Sequence, residues 1–293
     1  MQPEGSPRRH ESALLRRWAL AGARHGPEWF VRFTPPIIGG LFALVLPDER
    51  RRVLAALRRV HGPRAPLVEA RDVLKTFGDY AACIAEGLGS ERPEAAQARV
   101  EVHGREHLTQ VLAGGKGAVI VTAHVGPWDA AARMLHSDLQ ARVILVMEPE
   151  PDAEARALHD EVRRRAGVEV LPIGASPLDA LPLLRHLRAG GLAAFQLDRS
   201  APSSRLLTTQ LFGRPFAVPE GPFRIAALAH IPVLPLFAAR TGYFSYTIEV
   251  GEPLRAAEPA GEPELAHVAA QAVRHLERFI AAHPTQWFHF GDG

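Results

Sequence analysis

The stretch AVIVTAHVGPWD, residues 118–129, carries the pattern that sets the fold class. Its first half is a short apolar run rich in Val and Ile, which predicts a buried β-strand. Its second half passes through Gly126 and Pro127 to Trp128 and Asp129, where a helix is expected to begin. A strand followed at once by a helix is the repeating unit of a parallel sheet covered by helices.

The same alternation extends through the chain beyond residue 100. Strands are predicted at 118–123, 143–147, 168–171, 192–197, 233–237 and 243–250. Helices are predicted near 105–113, 126–136, 153–166, 177–189, 220–230 and 263–282. A further amphipathic helix is expected within 66–88. We therefore predict an α/β domain over residues 66–293, with a mostly parallel central sheet flanked by helices.

The amino-terminal 65 residues differ from this domain in charge. The chain has 293 residues, 47% hydrophobic and 23% charged, which excludes a disordered chain, a collagen and a coiled coil. Its first 66 residues hold 12 arginines against five acidic residues, a net +7, whereas the remainder carries −5. We predict that residues 1–65 form a basic, amphipathic helical extension that associates with an anionic membrane surface.

An apolar segment at 33–47 is the candidate for membrane contact. It has 15 residues and contains Pro35 and Pro36, whereas a spanning helix needs about 20. The expectation is that it lies in the membrane interface, with Arg32 and the arginines at 50–52 turned to lipid phosphates. The alternative is a core segment beneath a solvated arginine face. No secretory signal is expected, and the single cysteine, Cys83, favours a cytoplasmic-facing compartment.

His124 is the strongest candidate for chemistry. It follows the 118–123 strand directly, and active groups of parallel sheets gather at the carboxyl ends of strands. Asp129, five residues later, could hold one ring nitrogen while the other takes a proton from a hydroxyl. With 14 histidines and 32 acidic residues this spacing also arises by chance. The GxSxG, GxGxxG and HExxH motifs are absent.

Several segments taken together resemble a known group of enzymes. HVGPWD, LRHLRAGGLAAFQLDRS (184–200), the segment 211–240 and IAAHPTQWFHF (280–290) resemble the lipid A biosynthesis late acyltransferases and the phosphatidylinositol mannoside acyltransferases. Both belong to the lysophospholipid acyltransferase superfamily. Where the lipid A enzymes usually show HxxNWE, Pro127 and Asp129 stand in place of Asn and Glu.

The resemblance implies O-acyl transfer without an acyl-enzyme. His124 would be the general base and Asp129 would orient it, while an acceptor hydroxyl attacks an acyl thioester. The donor would be acyl-CoA or acyl carrier protein, with neither a cofactor nor a metal, and the acceptor a membrane glycolipid or lysophospholipid. The enzyme would lie on the cytoplasmic face of the inner membrane, as a peripheral or monotopic protein. Substrate-binding positions would be Trp128, Asp198, Arg199, Gly213, Arg214, Pro215 and Glu220.

Structural roles for the same residues stay open. Asp198 and Arg199 could form a strand-end ion pair, Gly213 and Pro215 could be turn residues, and Glu220 could favour a helix amino terminus. Trp287 is expected to be a core residue rather than part of the site. The alternative function is a non-catalytic lipid- or nucleic-acid-binding protein that uses the basic extension, and nucleic acid is not the expected partner.

Overall fold

The computed structural model describes residues 13–147, 169–172, 180–199 and 204–290. The strands in these ranges are β1 (Arg99–His103), β2 (Ala118–Thr122), β3 (Val143–Met147), β4 (Glu169–Pro172), β5 (Leu192–Gln196), β6 (Leu206–Leu211), β7 (Arg214–Pro219), β8 (Val233–Gly242) and β9 (Ser245–Val250). Seven of them form one sheet in the order β1-β9-β8-β2-β5-β3-β4. Strands β8, β2, β5, β3 and β4 run parallel to one another, whereas β9 pairs antiparallel to β8 and parallel to β1.

Helices cover the sheet, and the amino-terminal part of the protein, before the first strand, is also helical. They are α1 (Ala13–His25), α2 (Glu28–Val45), α3 (Pro47–His61), α4 (Pro66–Leu88), α5 (Pro93–Ala96), α6 (Arg105–Ala113), α7 (Trp128–Leu139), α8 (Ala180–Arg188), α9 (Gly221–Ala229) and α10 (Glu262–Ala282). A 3₁₀ turn follows at Pro284–Gln286.

Alternate residues of the central strand β2 serve two separate cores. Ile120 packs with α6 and α7 on one face, and Val119 and Val121 pack with α8, α9 and α10 on the other. All five residues of β2 are buried, which is the pattern of a strand covered on both faces. Because β2 is the fourth of the seven strands, its carboxyl end lies in the middle of that edge of the sheet.

Strands β6 and β7 form a separate antiparallel hairpin. Phe212 and Gly213 make its turn, and both have positive φ, 51° and 68°. A turn with two positive φ angles matches the twist of a two-residue hairpin, and glycine adopts this conformation without steric cost. The hairpin packs its Leu207, Leu211 and Val218 into the core on the α10 side of the sheet.

Helices α2 and α4 pack directly against each other. Gly39 of α2 lies so close to α4 that a Cβ added there would be 2.3 Å from the carbonyl oxygen of Phe77. The buried residues of α2, namely Val31, Pro35, Gly39 and Ala43, recur every four residues and face α4. The amino-terminal helices thus lie on the body of the protein.

The opposite side of α2 is apolar and faces outward. Trp29, Phe33, Ile37, Leu41 and Val45, again four residues apart, are 58–69% exposed. We call these five side chains the apolar face. Helix α4 adds exposed Leu67, Leu74 and Ile84. Helix α2 is long and apolar enough to cross a membrane. Core helices of soluble proteins can have the same length and composition.

The predicted α/β class with a mostly parallel sheet is confirmed. The strands and helices predicted beyond residue 100 match the described ones within about five residues, whereas α5, β1 and the β6–β7 hairpin were not predicted. The helix predicted at 153–166 lies outside the described residues. The domain boundary at residues 65 and 66 stays a prediction.

Candidate active site

The candidate site lies where β2 and β5 end side by side. Thr122 pairs with Gln196 at the last register position, and the Leu197 N–H donates to the carbonyl of Thr122 at 2.9 Å. Two residues after the end of β2 comes His124, and two residues after the end of β5 comes Asp198. Residues that are 74 positions apart in sequence are thereby brought together.

The Asp198 carboxylate holds His124 through both the ring and the backbone. Oδ1 lies 2.9 Å from His124 Nδ1, and the His124 backbone N–H donates to Oδ1 and Oδ2 at 3.0 and 3.1 Å. Trp287 Nε1 donates to Oδ2 at 3.1 Å. The Asp198 side chain has no exposed surface, whereas that of His124 is 20% exposed.

These donors keep Asp198 ionised despite its burial. Burial alone would raise the pKa of this carboxyl, but the nearby His124 and the hydrogen bonds outweigh it and lower the pKa from 3.8 to about 2. An ionised carboxylate only accepts hydrogen bonds, so Nδ1 of His124 carries the proton. In a neutral imidazole Nε2 then presents its lone pair, which is what a general base needs.

A tight turn directs the His124 backbone onto the carboxyl-terminal segment. Gly126 has φ +48°, and a Cβ added there would be 2.1 Å from the carbonyl oxygen of Ala238. The Gly126 N–H donates to Gln286 O at 2.9 Å, and the Phe288 N–H donates to His124 O at 2.8 Å. The residues around Trp287 therefore pair with the His124 turn as a short strand would.

Asp129 lies in the first turn of α7, and its side chain is outside the described part of the protein. The predicted pairing of Asp129 with His124 therefore stays a prediction. In the described geometry the carboxylate at Nδ1 is that of Asp198, which had been expected to bind substrate.

The other predicted site residues occupy three different places. Trp128, the first residue of α7, lines a narrow cleft at the carboxyl ends of β2, β3 and β5. Arg199 is exposed and reaches the carbonyl of Phe288 at 3.5 Å. Glu220 is buried and forms ion pairs with Arg205, at 3.3 Å, and with Arg224.

Gly213, Arg214 and Pro215 belong to the β6–β7 hairpin and are exposed. Gly213 lies in the hairpin turn with a positive φ, and its predicted contact with substrate stays a prediction. Arg59 of α3 donates to the carbonyls of Leu211, Arg214 and Pro215 at 3.3, 3.2 and 2.8 Å. The backbone of these residues thus anchors the hairpin to α3.

Two residues near the carboxyl end were not predicted as part of the site. Trp287 was expected in the core, and it is buried, but its indole N–H binds Asp198. The His289 ring contacts Trp287 at 5.2 Å between centroids and is tilted by 32° to it, and its Nδ1 has no hydrogen-bond partner among the described residues. Burial lowers the pKa of His289; Asp198 opposes this shift, and Arg199, His124 and Arg59 add to it. A long-range contact of this kind leaves no local spacing signal.

Within the described ranges, no group of three or more His, Cys, Asp or Glu side chains could hold a metal ion. The polar groups at the carboxyl ends of β2 and β5 are an imidazole, its carboxylate partner and an indole donor. This arrangement suits proton transfer from a hydroxyl.

Comparisons with known proteins agree on one chemistry. The sequence profile of a family described as bacterial lipid A biosynthesis acyltransferase matches residues 11–291. A phosphatidylinositol mannoside acyltransferase of Mycobacterium tuberculosis is 27% identical over 249 residues, covering 82% of this chain and 75% of the relative. The protein of that name from another strain is 27% identical over 205 residues, covering 68% of this chain and 61% of the relative.

A comparison of folds found the crystal structure of a 1-acyl-sn-glycerophosphate acyltransferase from Thermotoga maritima. The two chains share 13% identity with a TM-score of 0.39, and the match covers 84% of this chain and 97% of the other.

Proposed function

The chain belongs to the family of bacterial lipid A biosynthesis acyltransferases and is an acyltransferase, and from this premise we propose its reaction. A fatty acyl group passes from an acyl thioester, acyl-CoA or acyl carrier protein, to a hydroxyl of a membrane glycolipid or lysophospholipid. The observation that carries the proposal is the 2.9 Å contact between His124 Nδ1 and the buried, ionised Asp198.

The proposed step needs no acyl-enzyme. Nε2 of His124 takes the proton of the acceptor hydroxyl while its oxygen forms a bond to the thioester carbonyl carbon. The imidazolium that results is stabilised by Asp198, as a general base requires. When the tetrahedral intermediate collapses, the carbon–sulfur bond breaks, and the thiolate leaves with the proton from His124. Only the ester and the thiol are released.

The apolar lining of the cleft beside Trp128 supports the proposal that an acyl thioester binds there. It is lined by Leu145, Val146, Met147, Ala194 and Phe195, together with Thr122, Trp128 and Gln196. Nε2 of Gln196 is buried and has no hydrogen-bond partner among the described residues. An amide donor in that position can hydrogen-bond the carbonyl oxygen as negative charge develops on it. We propose that the thioester carbonyl binds beside this cleft.

Membrane association is part of the same proposal. The apolar face of α2 supports insertion at the lipid interface, with Arg32, half exposed beside it, turned to phosphates. We propose a peripheral or monotopic enzyme on the cytoplasmic face of the inner membrane. Arg199, exposed beside His124, is proposed to bind an anionic headgroup or carrier phosphate.

The test is thiol release from acyl-CoA and acyl carrier protein donors by purified protein, with and without a bacterial membrane-lipid extract. Wild type is compared with His124→Ala, and with His230→Ala, which removes an exposed histidine at the carboxyl end of α9. Release that rises with lipid and falls by about 10²-fold or more only in His124→Ala is expected. Equal lipid binding by both proteins with no release from any donor would instead favour a non-catalytic lipid-binding protein.

A further inference from the structure

Hydrogen bonds to α4 and β8 hold the carboxyl-terminal residues 285–290 in place next to the site. Thr285 Oγ1 donates to Asp79 of α4 at 2.7 Å. The Gln286 side chain accepts from Arg240 N and donates to Arg240 O, each at 2.8 Å. Trp287 follows these anchors, is 3% exposed, and forms a bridge to Val125 beside His124. Its indole is therefore held in one place.

That place puts the indole N–H against the second oxygen of Asp198. Oδ1 of Asp198 faces His124 Nδ1, and Oδ2 accepts from Trp287 Nε1 at 3.1 Å, while the His124 backbone N–H is shared between Oδ1 and Oδ2 at 3.0 and 3.1 Å. A buried carboxylate is free to rotate about its terminal bond unless both oxygens have fixed partners. The indole is the side-chain donor that fixes Oδ2.

We propose that Trp287 is a positioning residue for the acyl transfer, which sets the rotation of the Asp198 carboxylate so that Oδ1 points at Nδ1 of His124. The inference rests on the proposed function of His124 as the base. Trp287 itself contacts no reacting atom; it acts through Asp198. A hydrogen bond to a charged acceptor is worth more than one between neutral groups, so its loss should be measurable.

The experiment replaces the indole N–H and leaves the shape of the side chain intact. Benzothienylalanine, in which sulfur stands where tryptophan has N–H, is introduced at position 287 by codon suppression, and Trp287→Phe serves as a second variant. His230→Ala is the control, because His230 is an exposed side chain at the carboxyl end of α9, away from both the site and the apolar face. The measurements are kcat and KM for thiol release, and the NMR signal of the His124 Nδ1 proton in ¹⁵N-histidine-labelled protein.

With benzothienylalanine we expect kcat to fall at least about tenfold while KM stays unchanged, since the substrate contacts are intact. The His124 Nδ1 proton signal, shifted downfield by the hydrogen bond to Asp198 in the wild type, should move upfield. The His230→Ala protein should keep the wild-type kcat, KM and His124 Nδ1 proton signal.

Two results would overturn the proposal. An isosteric variant with wild-type kcat and an unmoved proton signal shows that the indole N–H does not position Asp198. A lower kcat with an unmoved proton signal shows that Trp287 acts only by packing. The NMR signal is measured without substrate, so it tests the positioning even if the wild type releases no thiol, which would refute the proposed function alone.

Discussion

At the scale of single residues, the activity of the site depends on which carboxylate binds Nδ1 of His124. Replacing Asp198 with Asn removes the charge that stabilises the imidazolium and keeps the side-chain size. We expect kcat to fall about 10²–10⁴-fold in Asp198→Asn, measured as thiol release at saturating donor. Asp129→Asn is the comparison: a smaller loss there assigns the partner role to Asp198, and a loss confined to Asp129→Asn would contradict that assignment.

Gly126 is a second residue whose identity the structure requires. Alanine there would combine φ +48° with a Cβ 2.1 Å from the carbonyl oxygen of Ala238. We expect Gly126→Ala to lower the free energy of unfolding by at least about 3 kcal/mol in urea titrations.

Gly213→Ala is the matched control for backbone strain. Its φ is +68°, but no atom lies within 4 Å of the added Cβ. Only the left-handed conformation then costs energy, about 1 kcal/mol. Equal destabilisation by the two substitutions would show that the close approach to Ala238 is relieved by movement.

The residue scale also marks the limit of sequence reasoning about the site. His124 could be predicted because the apolar run before it and Gly126 after it are local signals. Its contact with Asp198 could not be assigned, because it depends on β2 and β5 being neighbours in the sheet, and strand order has no local signal. The spacing pointed instead to Asp129, the carboxylate nearest in sequence.

At the scale of elements, the β6–β7 hairpin depends on one arginine of α3. Arg59 donates to three carbonyls of the hairpin, and its guanidinium carbon lies 5.4 Å from the ring centroid of Phe216. Burial, and then the nearby Arg214, lower the pKa of Arg59. We expect Arg59→Met to cost about 1–3 kcal/mol, with faster amide hydrogen exchange across residues 206–219.

Arg51→Met is the control for this prediction. Arg51 lies on the same helix, is 77% exposed and pairs with Asp48. Its loss should change stability by less than about 0.5 kcal/mol. If both variants exchange at the same rate, Arg59 does not hold the hairpin.

The joint between α3 and α4 gives the protein an acid-sensitive contact. Glu69 accepts from Arg58 Nε and from its terminal nitrogen, both at 2.7 Å, and from the Arg64 N–H at 3.1 Å. These bonds to Arg58 and then Arg64 lower the pKa of Glu69 from 4.5 to about 2. A carboxyl whose pKa is lowered by folding stabilises the fold above its unfolded pKa and loses that contribution on protonation.

The contribution of Glu69 is therefore complete above about pH 4.5 and is lost as the pH falls towards 2. In Glu69→Gln, unfolding midpoints in urea should be lower than in the wild type at pH 7 and should decline less steeply across this window. Glu262→Gln, an exposed position in the first turn of α10, should follow the wild type. Parallel curves for Glu69→Gln and wild type would refute the prediction.

Elements with strong apolar periodicity were the predictable ones. Strands β2, β3 and β5 are buried apolar runs, and α10 repeats its buried residues at helical spacing. Strand β1 was missed because it lies at a sheet edge with mostly exposed, charged residues. The β6–β7 hairpin was missed because Phe212 precedes its turn glycine, where Asn or Asp is the usual signal.

At the scale of the whole molecule, α4 connects the outward side of the amino-terminal helices with the site. Tyr80 contacts the rings of Phe288 and Phe290 at 5.2 and 5.0 Å between centroids. Glu86, buried on the same helix, pairs with Arg240 at 2.7 Å. The amino-terminal helices and the residues around His124 are therefore held in a fixed relation.

Membrane binding should depend on the apolar face and not on exposed leucines in general. Leu41 on α2 and Leu228 on α9 are both 58% exposed. We expect Leu41→Asp to weaken co-sedimentation with anionic liposomes at least about tenfold, since a Leu side chain would be lost from the lipid. Leu228→Asp should bind as the wild type does, and equal loss in both variants would exclude α2 as the docking element.

The outward side of α2 also determines how the purified protein behaves in plain buffer. The five large side chains of the apolar face form a continuous hydrophobic surface that water solvates poorly. Where no bilayer covers this surface, the apolar faces of two molecules can pack against each other, so the particle size should grow with protein concentration. A mild detergent above its critical micelle concentration should return the sample to one size, and the Leu41→Asp protein should need less of it.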